Sequence, residues 1–200
     1  MENNNNQGNI NNSEKLTSKK WFQNIWDLIK YAIIALIIVI PIRTFIVQPF
    51  VVSGDSMVPT FHDGEYLIVD ELSYLIGNPE RGEVIIFRYP NDTKRFFIKR
   101  IIGLPNEEIK IQGDQITVIN KENPKGFQLT EPYISEKFDT TISLKTGDNE
   151  YFVLGDNRNR SSDSRVWGVL PGKLIIGRAY LRLLPFKEAS YLPGYYQENK

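Results

Sequence analysis

The 200-residue chain of 23.1 kDa carries 24 basic and 24 acidic side chains, 41% hydrophobic residues, one histidine and no cysteine. That length allows one substantial core and an appendage rather than two large domains, and zero net charge disfavours a surface-wide grip on nucleic acid. The missing cysteines exclude disulfides, thiolate metal sites and a cysteine nucleophile, and a lone imidazole, His62, excludes metal sites built on several histidines.

Asparagine dominates residues 1–14, and too few apolar side chains are present to offset the entropy of ordering, so residues 1–20 read as a disordered tail. From Trp21 the character reverses. Tyr31–Ile42 contains no charge, and Trp26 to Val47 is 22 residues, about 33 Å of helix against a hydrocarbon core of about 30 Å. Lys30 and Arg43 stand where long side chains snorkel, and Trp21, Trp26 and Tyr31 suit an interfacial belt. No small-x-small cleavage site follows, so 21–50 reads as a membrane anchor helix and not a removable leader. Lys15, Lys19, Lys20 and Lys30 precede the span while only Arg43 follows it closely, which predicts a cytoplasmic N-terminus and a single-pass protein with its main domain outside the cell.

Beyond Val52 short runs rich in Ile, Val, Phe and Tyr alternate with Gly, Pro, Asn and Asp clusters. Strands are predicted at Tyr66–Val69, Glu83–Arg88, Arg95–Ile102, Ile109–Gln112, Gln115–Ile119, Glu150–Leu154 and Leu174–Leu184, with a short helix near Glu71–Leu75. Ile109 to Val118 reads as a hairpin around Gly113-Asp114. The predicted fold is mostly β: an N-terminal transmembrane helix, then an antiparallel β-barrel-like domain over 51–190. Residues 122–149 form a loop-rich insertion of no legible role, and 191–200 a second tail.

Three segments carry reactive side chains. In Ser53-Gly-Asp-Ser-Met-Val-Pro-Thr60, a Gly- and Pro-constrained turn aims a serine hydroxyl and its own N–H at one point, as acyl transfer requires, although a turn serine capping its own backbone looks the same. In Arg95-Phe-Phe-Ile-Lys-Arg-Ile-Ile-Gly-Leu-Pro105, alternation sets Lys99 among apolar neighbours. Desolvation there would lower its pKa toward the range of a general base; an edge-strand lysine that deters aggregation is the plainer reading. Arg100 points to the opposite face and calls for a carboxylate. Gly155-Asp-Asn-Arg-Asn-Arg-Ser-Ser-Asp-Ser-Arg165 has no large apolar side chain and lies between a hydrophobic strand and Val166-Trp167. Such a loop is buried only if its groups satisfy one another, Asp163 with Arg165 and Asp156 with a distant base such as Arg100.

Taken together, the anchor, these three segments and Arg81-Gly-Glu-Val-Ile-Ile-Phe87 resemble, in order, the bacterial type I signal peptidases of the single-span Gram-positive form, over about residues 25–185. The resemblance implies Ser56 as nucleophile and Lys99 as general base. It also implies Ser161 as the hydroxyl that orients the amine, Asp156, Arg158, Asp163, Arg165 and Arg100 as support, and Met57 and Pro59 as substrate-facing. Some members supply an oxyanion donor from a serine two residues before the nucleophile; here that position is Gly54, whose backbone or a bound water would serve instead. Relatives of the endoplasmic reticulum and archaea carry histidine where Lys99 stands; here that position is lysine, and His62, six residues after Ser56, is expected on a surface turn. The implied activity is cleavage of signal peptides from secretory preproteins after Ala-x-Ala-like residues at the lipid bilayer, with no cofactor, metal or nucleic acid. Oligomeric state is not legible. Two alternatives remain at this level: a membrane-tethered β module that binds peptides without cutting them, and a self-cleaving Ser/Lys repressor-type protease.

Overall fold

A computed structural model describes residues 24–37 and 48–197. The chain divides into two units, Met1–Thr44 and Phe45–Lys200. In the first, residues 24–37 form a helix (α1) in which Trp26, Leu28, Tyr31, Ile33, Ile34, Leu36 and Ile37 are all exposed. Among the described residues no helix is long and apolar enough to cross a membrane. The predicted tail 1–20 and the predicted anchor residues 21–23 and 38–47 lie outside the described residues, and 48–50, counted with the anchor from sequence, are strand.

The second unit is mostly antiparallel β. Its strands are β1 (Gln48–Val51), β2 (Tyr66–Asp70), β3 (Val84–Tyr89), β4 (Asp92–Gly103), β5 (Glu108–Gly113), β6 (Gln115–Ile119), β7 (Phe127–Gln128), β8 (Thr140–Lys145), β9 (Glu150–Leu154), β10 (Leu170–Pro171), β11 (Ile175–Leu184) and β12 (Ser190–Tyr191). Two one-turn helices, α2 (Ser73–Ile76) and α3 (Ser164–Trp167), interrupt them. The larger sheet runs β1-β2-β11-β3-β4-β9-β10 with β12 beside β11, and the smaller β7-β6-β5-β8. The β5–β6 hairpin turns at Gly113-Asp114 with Gln112 opposite Gln115, as the alternation predicts.

The predicted barrel does not close. Among the described residues the larger ladder ends at β1 and β10, and β9 pairs with β4 only along Arg100–Gly103. The first half of β4 therefore bonds to β3 alone. That open stretch, exposed where the second half is buried, forms one wall of a groove. Residues 122–149 contribute β7 and β8 to the smaller sheet. Its hydrophobic side packs Ile109, Ile111 and Ile116 against Ile102, Phe152 and Phe138. Arg81 fastens the sheets together: its Nη2 donates to both oxygens of Glu107 at 2.6 and 2.8 Å, and its Nη1 donates to the Ile102 carbonyl.

Candidate active site

Ser56 lies in the loop between β1 and β2. Gly54 takes φ +87°, a left-handed conformation costly to residues with a Cβ, and its N–H donates to Asp63 Oδ1 at 2.7 Å. Below the loop Met57 and Phe61 are fully buried in a cluster with Val52, Leu67 and Val69. Of the two residues expected to face substrate, Met57 is packed in this cluster beneath the loop and Pro59 is exposed; neither lines the groove. A side chain as apolar as methionine is worth about 1.5–3 kcal/mol when buried, so it takes the core side of a turn.

Lys99 stands opposite, in the middle of β4 and paired with Ile85 of β3. It is 3% exposed. Its Nζ donates to Ser56 Oγ at 2.6 Å and to the Ile98 carbonyl at 2.8 Å, and lies 5.4 Å from the centre of the Phe97 ring. Burial removes the water that stabilises an ammonium, which pushes the amine down from 10.5 to about 8, against the opposing pull of Asp163 and Asp156.

Directly behind Lys99, on the other face of β4, Arg100 is wholly buried. Its Nε and Nη2 donate to the two oxygens of Asp156 at 2.8 and 2.5 Å, and Nη1 donates to the carbonyls of Gly82, at 2.9 Å, and Gly194. The Tyr133 ring covers the guanidinium at 3.8 Å. Asp156 also accepts from Thr60 Oγ1 at 2.5 Å, and the Asn157 N–H donates to the Ser56 carbonyl at 3.1 Å. One carboxylate thus ties together the serine loop, the lysine strand and the polar loop.

That polar loop is buried because it satisfies itself. Asp163, fully buried, caps α3 through the Arg165 N–H, accepts from Arg165 Nε and Nη2 at 2.8 Å each, and accepts from the Gly155 N–H at 3.2 Å. Arg158 pairs with Glu131 at 2.9 and 2.5 Å and donates to the Gly155 carbonyl at 3.0 Å. Gly155 is packed so tightly against Ser161 and the Ser56 carbonyl that a Cβ would not fit. Ser161 Oγ is buried with no hydrogen-bond partner and does not bond to Lys99, whose contacts are Ser56 and Ile98.

Several participants had no signal in the sequence. Thr60, Glu131 and Tyr133 act through contacts made only on folding, the last two from the insertion whose role was illegible. Gly194 belongs to the segment predicted as a tail, yet its carbonyl holds Arg100, and Thr60 and Phe61 fill the space that a side chain there would take. A Cβ there would lie 2.6 Å from Thr60 Cγ2, on a residue with φ +76°. Gly194→Ala is accordingly expected to cost about 1–3 kcal/mol, read as a lowered urea midpoint; an unchanged midpoint would show that the 190s segment does not brace the site.

A groove of about 500 Å³ opens beside Ser56 and Lys99. Phe50–Ser53 form one wall and Arg95–Lys99 the other, with Leu67, Ile86 and Ser162 completing the lining. His62 is exposed on the far turn, its Nδ1 3.5 Å from Glu65. His62, Glu65 and Glu188 bring potential metal-ligating atoms within 4.8 Å of one another. Arg182 already pairs with both carboxylates, so a cation there would have to displace a guanidinium.

A half-buried hydroxyl bonded to a desolvated amine is the pairing found in serine hydrolases that use a lysine base. Residues 25–184 match the family described as signal peptidase, peptidase S26. The chain is 38% identical over 178 residues to a probable signal peptidase I-2 of Synechocystis, covering 85% of this chain and 78% of the relative. It is 36% identical over 188 residues to the signal peptidase I of Bacillus licheniformis, covering 88% and 96%. A crystal structure of a signal peptidase I from Enterococcus faecalis V583 aligns with a TM-score of 0.45 at 29% identity, covering 52% of this chain and 97% of that one. The chain belongs to the signal peptidase family, peptidase S26, and is an enzyme of the signal peptidase I type.

Proposed function

We propose that Ser56 and Lys99 are the nucleophile and general base of a membrane-bound endopeptidase that removes signal peptides from secretory preproteins after Ala-x-Ala-like residues. The observation that carries this reading is the 2.6 Å separation of Lys99 Nζ and Ser56 Oγ with the amine 3% exposed. Once neutral, the amine has a lone pair for the Ser56 proton while one of its N–H groups stays on the Ile98 carbonyl. Ser56 Oγ then attacks the scissile carbonyl, and the oxyanion accepts from the Ser56 N–H. The Gly54 N–H is held by Asp63, so a bound water takes the place of the second donor. Collapse expels the mature protein's amine with the proton from Lys99, and water activated by the same amine releases the acyl group.

Substrate lies extended in the groove, where β1 and the first half of β4 leave backbone groups free for strand addition. Ser161 orients the amine during turnover, its orphaned hydroxyl supplying the contact. Asp156, Arg158, Asp163, Arg165 and Arg100 hold this geometry. The apolar segment before β1, residues 21–47, tethers the enzyme to the bilayer with its catalytic unit on the extracellular side. In support, α1 exposes apolar side chains around its circumference.

A detergent-solubilised preparation is expected to cut a preprotein whose signal peptide ends in Ala-x-Ala, with Ser56→Ala and Lys99→Ala inactive. Cleavage by all three proteins, or by none, would favour the non-cutting peptide-binding module instead.

A further inference from the structure

We propose that Arg95 is a specificity-determining residue that favours substrates carrying an acidic side chain on the stretch of peptide lying along the first half of β4. The inference rests on the catalytic reading above and extends it to a class of substrate.

Among the described residues, Arg95 is the one charged residue besides Lys99 that lines the groove. Alternation places Arg95, Phe97 and Lys99 on the same face of β4, in line with the serine. Its guanidinium carbon lies 5.4 Å from the centre of the Phe97 ring and 6.0 Å from that of Tyr89, and these two rings stack at 4.6 Å. The cation therefore rests on an aromatic shelf that narrows its range of positions without neutralising it. Arginines 81, 100, 158, 165, 178 and 182 each pair with a carboxylate, whereas Arg88 and Arg160, like Arg95, have no such pair among the described residues, and of these three only Arg95 lines the groove. No described residue offers Arg95 one, although the side chain is exposed and free to accept a partner.

An extended peptide advances about 3.3 Å per residue, so four residues separate Lys99 from Arg95 by roughly 13 Å. A substrate side chain about four positions from the scissile bond comes within reach of the guanidinium. An aspartate or glutamate there forms a bidentate pair that a lysine could not match in geometry. The charged partner and the aromatic shelf both lie at the groove rim, where water screens the interaction, so the gain is that of a partly exposed ion pair, about fivefold.

The test uses the full-length protein in neutral detergent and a set of peptides with one cleavage site, in which a single Glu or its Gln counterpart is moved along the chain. For each protein the ratio of kcat/KM for the Glu peptide to that for the Gln peptide is measured. The unaltered protein is expected to show a ratio of about five at one position roughly four residues from the cut. Arg95→Gln should bring the ratio to one and Arg95→Glu should invert it. An unchanged ratio in Arg95→Gln overturns the inference while leaving the dyad intact. So does an Arg95 effect that appears only when vesicles of anionic phospholipid replace detergent, which assigns the cation to the lipid surface. Absence of cleavage of every peptide by the unaltered protein overturns the catalytic reading itself.

Discussion

Lys99→Met is expected to lower peptide cleavage by roughly 10⁴-fold or more while leaving the protein as stable as the unaltered chain, or more so, at pH 7. The catalytic loss follows because no other base reaches Ser56 Oγ: its bonded partner is the Lys99 amine at 2.6 Å, and His62 is exposed on another turn. The stability effect has the opposite sign from that of a usual core substitution. Burial lowers the amine from 10.5 to about 8 in the folded state. The unfolded chain therefore binds this proton more tightly, and the folded state carries a penalty that is full below about pH 8 and fades as pH rises toward 10.5. A drop of that size corresponds to about 3 kcal/mol at pH 7. Methionine removes the penalty and keeps the volume, at the cost of the hydrogen bonds to Ser56 and Ile98, about 1 kcal/mol each. Thermal melts at pH 7 and pH 10 check the sign: the advantage of the variant should shrink at the higher pH. A variant less stable by several kcal/mol at pH 7 would mean that the amine is a structural keystone rather than a strained functional group.

Asp156→Ala is expected to be the most damaging change away from the dyad, lowering stability by about 3–5 kcal/mol. Both side chains of the Arg100–Asp156 pair are fully buried, so the substitution leaves a guanidinium in a dry interior with only carbonyls and the Tyr133 ring around it. It also frees Thr60 and thereby the serine loop. Since folded domains are stable by only about 5–15 kcal/mol, such a loss takes up much of the margin. The double variant Arg100→Met, Asp156→Leu removes both charges and should recover most of the urea midpoint without recovering activity. If the single variant lowers stability by less than about 1 kcal/mol, the pair is not what holds the two loops together.

Much of this was visible in the residues themselves, for a physical reason. Strands β2, β3, β4, β5, β6, β9 and β11 show period-two alternation or dense β-branched runs, and each formed near its predicted position. Those left unseen are β1, β7, β10 and β12, two to four residues long and dependent on a neighbour to bond to, and the six-residue β8, which lies in the polar stretch 122–149 that reads as loop. The open larger sheet was equally out of reach, because closure is decided by which strand β4 meets beyond β3. In the site, local context singled out the Ser56 turn, the Lys99 strand and the self-pairing loop, but each also carried a plainer structural reading, and the roles of Ser56 and Lys99 followed only from the family resemblance. Thr60, Glu131, Tyr133 and Gly194 bring no such pattern, and their parts in the site come from chain segments that meet only in the fold.

The most direct test of the dyad is the pH dependence of kcat/KM for a neutral peptide, which reports the base of the free enzyme. With Lys99 as that base, the value should climb about tenfold per pH unit on the acid side and level off above about pH 8, in step with the amine losing its proton. A flat profile, or an acid limb near pH 6–7 that disappears in His62→Ala, would contradict it.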